Sequence, residues 1–112
     1  MKTLARIPFF LALCLFLSAQ TFLNTTADIS GDATAHAIGT GAAKWIQIVA
    51  PSTNVSAVRW GDSNITTSRG GIIAPGGGQM LPFRPRVEDR YDLSKVFYLV
   101  ASGDKVSITW AN

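Results

Sequence analysis

Lys95-Val96-Phe97-Tyr98-Leu99-Val100-Ala101, a turn at Ser102-Gly103-Asp104-Lys105, and Val106-Ser107-Ile108-Thr109-Trp110 decide the fold class of this chain. The first run is apolar on both faces, as a central strand covered on each side would be. The second alternates apolar with small polar residues, the signature of a strand with one face in a core. Joined by four turn residues, the two predict a β-hairpin.

The same period of two recurs upstream. Lys44-Trp45-Ile46-Gln47-Ile48-Val49-Ala50 sends Ile46 and Ile48 to one face and Trp45, Gln47 and Val49 to the other. Pro51-Ser52-Thr53-Asn54 supplies a turn, and Val55-Ser56-Ala57-Val58-Arg59-Trp60 follows as a second strand, giving a second expected hairpin. Ile65-Thr66-Thr67-Ser68 is a short β-branched stretch, and Ile72-Ile73-Ala74 leads into the glycine-rich loop at Gly76-Gly77-Gly78. Gln79-Met80-Leu81 is expected to pair briefly before Pro82, which has no N–H to give to a ladder. No segment after residue 24 keeps a helical repeat. The prediction is an all-β chain, a small β-sandwich of seven or eight short strands, jelly-roll-like, over residues 44–112.

Residues 24–43 are rich in Thr, Ala, Gly and Asp, with Ile29 and Ile38 as the only large apolar residues, and read as an arm or linker. Residues 1–23 open with Lys2 and Arg6 and continue with an apolar run from Ile7 to Leu17. Three readings fit that segment: a cleaved secretory signal, a marginal membrane anchor, or a buried helix or arm in an assembly. Cys14 inside the run reads as an apolar filler.

The chain has 112 residues, ten Lys plus Arg against seven Asp plus Glu, and one His. Without Lys2 and Arg6 the balance is eight against seven, so basicity gives no argument for nucleic acid. A large enzyme is excluded by length. One His and one Cys leave almost nothing for a Cys/His metal site or a Cys–His catalytic pair. His36 lies near Asp28 and Asp32, but an Ala/Gly-rich arm does not hold ligands in a fixed geometry, so solvated residues are expected there. No catalytic residue, cofactor or metal is assigned. Asn24, Asn54 and Asn64 each begin a glycosylation-type sequon, a pattern that arises by chance in a chain rich in Ser and Thr.

What remains is surface. Arg84-Pro85-Arg86-Val87-Glu88-Asp89-Arg90 is either a docking loop or a solvated one: mixed charges on an extended stretch suit a complementary protein surface. Pro85 holds it extended. Trp45, Trp60 and Trp110 are core anchors or interface anchors. The candidate partner-binding residues are Arg84, Arg86, Glu88, Asp89 and Arg90, with Trp45 and Trp60.

The order of motifs resembles a known group. The run Lys44-Trp45-Ile46-Gln47-Ile48, then Val58-Arg59-Trp60-Gly61-Asp62-Ser63-Asn64, Ser68-Arg69-Gly70, Ile73-Ala74-Pro75-Gly76-Gly77, Tyr91-Asp92-Leu93-Ser94-Lys95-Val96 and Gly103-Asp104-Lys105-Val106-Ser107-Ile108 looks like small tailed-bacteriophage virion proteins of the head-decoration or cement type. The likeness spans Lys44 to Trp110. It implies a non-enzymatic β-sandwich or jelly-roll module on the capsid surface, a homo-oligomer and often a trimer, that contacts the major capsid protein through loops and a terminal arm. The alternative expectation is an exported periplasmic or secreted binding module for a surface glycan or protein, with Trp45 or Trp60 as a stacking platform.

Overall fold

The structure is a computed structural model that describes residues 23–112. The readings of the apolar N-terminal segment lie outside the described residues, apart from Leu23, which opens the first strand. Eleven strands and one short 3-10 turn follow in order: β1 (Leu23–Thr25), β2 (Ile29–Ser30), β3 (Ala35–Ala37), β4 (Ala42–Ala43), β5 (Trp45–Val49), β6 (Val58–Gly61), β7 (Gly71–Ile73), β8 (Gly78–Leu81), the turn Val87–Asp89, β9 (Tyr91–Asp92), β10 (Phe97–Leu99) and β11 (Lys105–Ala111).

One sheet runs β1-β11-β5-β8, with β2 continuing the line of β1 along β11. The second runs β3-β10-β6-β7, and β4 pairs with β9 apart from both. Every pairing is antiparallel. Leaving β4 and β9 aside, the chain crosses between the five-stranded and the four-stranded sheet at every step except β1–β2 and β6–β7, which makes the fold a jelly-roll-like β-sandwich. Ile48 lies opposite Ile108, and Ile46 lies between Trp110 and Leu81. These inward residues of the first sheet form one core with Val58, Ile73 and Tyr98 of the second. Truncating a fully buried residue such as Ile48 to Ala costs about 2–5 kcal/mol.

Two expectations of local pairing are overturned. β5 and β6 are not a hairpin, and neither are β10 and β11; in each case the chain crosses from one sheet to the other. Each of these strands buries an apolar face, and the crossing puts those faces against each other rather than side by side in one sheet. The strand expected from Val55 begins only at Val58, because Val55 lies within the crossing, 90% exposed. The stretch Ile65–Ser68 is a tight loop with a single bridge between Thr66 and Arg69, although Ile65 itself is buried. Gln79-Met80-Leu81 is more than a brief pairing: β8 matches four residues of β5.

Residues 24–43 are not a free arm or linker. β1 and β2 line β11, β3 lines β10, and Ile29 and Ile38 pack against the core. At Thr26 the side chain joins the ladder: its amide donates to the Ile108 carbonyl at 2.9 Å, and its hydroxyl accepts the Ile108 N–H at 3.0 Å. Gly31 passes so close to the Val100 and Ala101 carbonyls that a Cβ would collide with them. At Gly31 the small residue serves close backbone approach, not mobility.

The register gathers the connections at two ends. Residues 31–34, 50–57, 74–77 and 100–104 lie at one end; residues 38–41, 62–70 and 82–96 lie at the other.

Candidate binding surface

At the first end, two side chains knit the crossings together. Asp104, 4% exposed, accepts the amides of Val55 at 2.9 Å and Ser56 at 2.8 Å. Asn54, 8% exposed, donates to the Lys105 carbonyl at 2.7 Å and accepts the Lys105 N–H at 2.8 Å. The Gly31 amide reaches the Asp104 carbonyl and the Ala33 amide the Val100 carbonyl. Buried polar atoms are tolerated because each has a partner. These residues hold the sandwich closed, and Asn54 has both side-chain polar atoms engaged inside it.

The other end carries the charged loop, after β8. Its backbone is anchored at both flanks: the Arg84 amide donates to the Lys44 carbonyl at 2.7 Å, and the Tyr91 hydroxyl donates to the Pro82 carbonyl at 2.8 Å. Between these anchors the Arg84 guanidinium sits over the Tyr91 ring, 4.3 Å from its centroid, and donates to the Asp89 carbonyl at 3.2 Å. A cation over an aromatic face contributes about 0.5–1 kcal/mol at an exposed site. The turn Val87–Asp89 is closed by the Asp89 and Arg90 amides on the Arg86 and Val87 carbonyls. Below it, Asp92 caps the next turn, accepting from the Ser94 hydroxyl at 2.6 Å and the Ser94 amide at 3.0 Å; those bonds, the hydroxyl first, lower its pKa, and Lys95 adds to the effect.

What this frame displays is chemically mixed. Phe83 is 61% exposed and Val87 73% exposed. Arg86, Glu88, Asp89 and Arg90 form no ion pair, the single pair among the described residues being His36–Asp32. The Arg90 Nε is buried without a hydrogen-bond partner in the structure. Two hollows flank the Arg84–Tyr91 stack. One, of about 460 Å3, is lined by Phe83, Arg84, Pro85, Arg86 and Asp89. The other, of about 430 Å3, is lined by Gly41, Ala42, Val87, Arg90, Tyr91 and Asp92.

The structure therefore gathers Arg84, Arg86, Glu88, Asp89 and Arg90 on one loop. Trp45 stands next to Lys44, the residue that anchors Arg84, and is half-buried on the outward side of β5 with Gln47 and Val49. Trp60 is elsewhere. It packs against the core from β6, and a Cβ on its cross-strand neighbour Gly71 would collide with the indole. Tyr91, which sets the position of Arg84, carries no signal in the sequence that separates it from any other loop aromatic.

His36 lies on β3, its Nε2 2.7 Å from Asp32 Oδ2 and its ring 6.0 Å from that of Tyr98. The contact with His36, helped by the Thr34 amide, lowers the Asp32 pKa, while burial, with Asp32 contributing, raises that of Tyr98. Among the described residues no three His, Cys, Asp or Glu side chains converge as metal ligands, and no helix is long and apolar enough to cross a membrane. Comparison with family models, curated proteins and solved structures returns no match for the chain.

Proposed function

We propose that this chain is a non-enzymatic virion structural protein, a capsid-decoration module that docks on the major capsid protein or another virion protein through residues 83–90 and works as a homo-oligomer, such as a trimer. The supporting observation is the loop itself. Its backbone is held by Lys44, Pro82 and Tyr91, while Phe83, Val87, Arg86 and Glu88 are left exposed. Holding a loop before contact lowers the ordering cost of association, and an apolar pair among charges gives both burial and registry. The jelly-roll sandwich supports the reading by analogy of fold, as does the order of motifs.

The test is co-sedimentation with particles. Val87→Asp combined with Arg86→Glu is expected to lower the bound fraction at least about tenfold, since each change places an unmatched charge in the contact. Undiminished binding by a folded double variant contradicts the assignment.

One observation favours the alternative of an exported glycan-binding module: Trp45 is half-exposed on a sheet face beside Gln47 and Thr109, an aromatic among uncharged hydrogen-bonding groups. Trp45→Ala that abolishes glycan binding without unfolding would establish that reading; unchanged binding would remove it. Trp60 does not serve it, because its indole is packed inward.

A further inference from the structure

A second feature lies on the outer face of the second sheet, independent of the docking loop. Arg59 on β6 is paired with Leu99 of β10 and Ile72 of β7, so all three share a face. Above them the loop 62–70 folds back, held by the buried Ile65 and by a hydrogen bond from Arg59 Nη1 to the Gly70 carbonyl at 3.2 Å. The corner around Ser56 closes the other side, where the Ser56 amide is fixed on buried Asp104. The result is a recess of about 400 Å3 lined by Ser56, Ala57, Arg59, Thr67, Leu99 and Ala101.

Most of the polar capacity in this recess is unused. Arg59 has no ion-pair partner among the described residues and spends one donor on Gly70. The hydroxyls of Ser56 and Thr67 have no hydrogen-bond partner among the described residues. Leu99, Ala57 and Ala101 give an apolar floor beside them.

The geometry points to a carboxylate-binding site in this recess, with Arg59 as the charged fork, Ser56 and Thr67 as flanking hydroxyl donors, and the apolar floor under the carbon skeleton that bears the acid. Guanidinium matches a carboxylate with two parallel N–H donors, and the Gly70 bond fixes its plane in advance. A recess of this size holds one amino-acid side chain or one sugar ring. The carboxylate therefore comes from an acidic side chain of a protein partner or from an acidic sugar.

The full chain is titrated, with NMR detection at the Arg59 Nε–H and the Ser56 and Thr67 amides, using the N-acetyl amide of glutamate, glucuronate, and the N-acetyl amide of glutamine as the neutral control. Saturable shifts with a carboxylate and none with the glutamine compound are expected. Glutamate alone identifies a protein side chain as source, glucuronate alone an acidic sugar; either result supports the site. Arg59→Gln is expected to weaken binding about tenfold or more, and Thr67→Val, which leaves the Gly70 bond in place, by a smaller factor. The absence of a saturable response to both acids, equal response to the neutral amide, or wild-type affinity in both variants overturns the proposal. None of these outcomes bears on docking through residues 83–90.

Discussion

The two ends of the sandwich use their polar groups differently. At the end built from residues 31–34, 50–57, 74–77 and 100–104, Asn54 and Asp104 are buried and partnered, and every side-chain bond they make crosses between distant parts of the chain. At the other end, the bonds around residues 82–90 are mostly local, and four of the loop's five charged side chains make no bond of their own. The side chains of Asn54 and Asp104 are satisfied by the fold itself. Those of Arg86, Glu88, Asp89 and Arg90 are left without hydrogen bonds among the described residues, on the kind of framed loop where function concentrates.

That contrast is broken most severely by Asp104→Ala. It leaves the Val55 and Ser56 amides without acceptors in a part-buried corner, and unfolding in urea should show a loss of about 3 kcal/mol. A loss below about 1 kcal/mol would mean that water replaces the carboxylate and that the corner is not a lock. Gly71→Ala tests the packing between the ends, because its Cβ meets the Trp60 indole; a cost of about 1–3 kcal/mol is expected, with a change in tryptophan fluorescence. Arg84→Ala removes the stack on Tyr91 and the bond to the Asp89 carbonyl, but should lower stability by only about 1 kcal/mol while weakening particle binding far more. Equal effects on the two would merge the loop with the core and end the distinction.

The smallest effect concerns acid. Asp32 and Asp92 both have pKa values lowered from 3.8, by His36 and by Ser94 respectively. A lowered folded-state value means that the carboxylate form is favoured by folding. Their contribution is therefore complete above the unfolded value near 3.8 and is lost as pH falls through the lower folded value. Carboxyl NMR titration should give midpoints below 3.8 for both, and His36→Ala should raise that of Asp32 alone. An unmoved Asp32 midpoint would show that the pair is not formed in solution.

The fold class was legible because alternation in Trp45–Val49 and Lys105–Ala111 states which residues turn inward. Which strand pairs with which was not. Turn residues at Pro51–Asn54 and Ser102–Lys105 predict a reversal of direction, and a reversal within a sheet looks the same in sequence as a crossing between sheets. What separates the two cases is the long-range contact of Asn54 with Lys105 and of Asp104 with Val55, which no local pattern records. The stretch 24–43 misled for a related reason: its small residues resemble a linker, yet Gly31 is small because two carbonyls lie against it. The charged loop was visible as a cluster, but its stiffening by Tyr91 and Lys44 depends on contacts across the fold. The Arg59 recess left no trace at all, since its residues come from three separate stretches of chain.

Native-state hydrogen exchange on the full chain tests the contrast most directly. The account predicts that the amides of Val55, Ser56 and Lys105 exchange only with global unfolding, although the Val55 side chain is 90% exposed, whereas those of Arg86, Val87 and Glu88 exchange through local opening. Fast exchange at Val55 and Ser56, matching the charged loop, would contradict it.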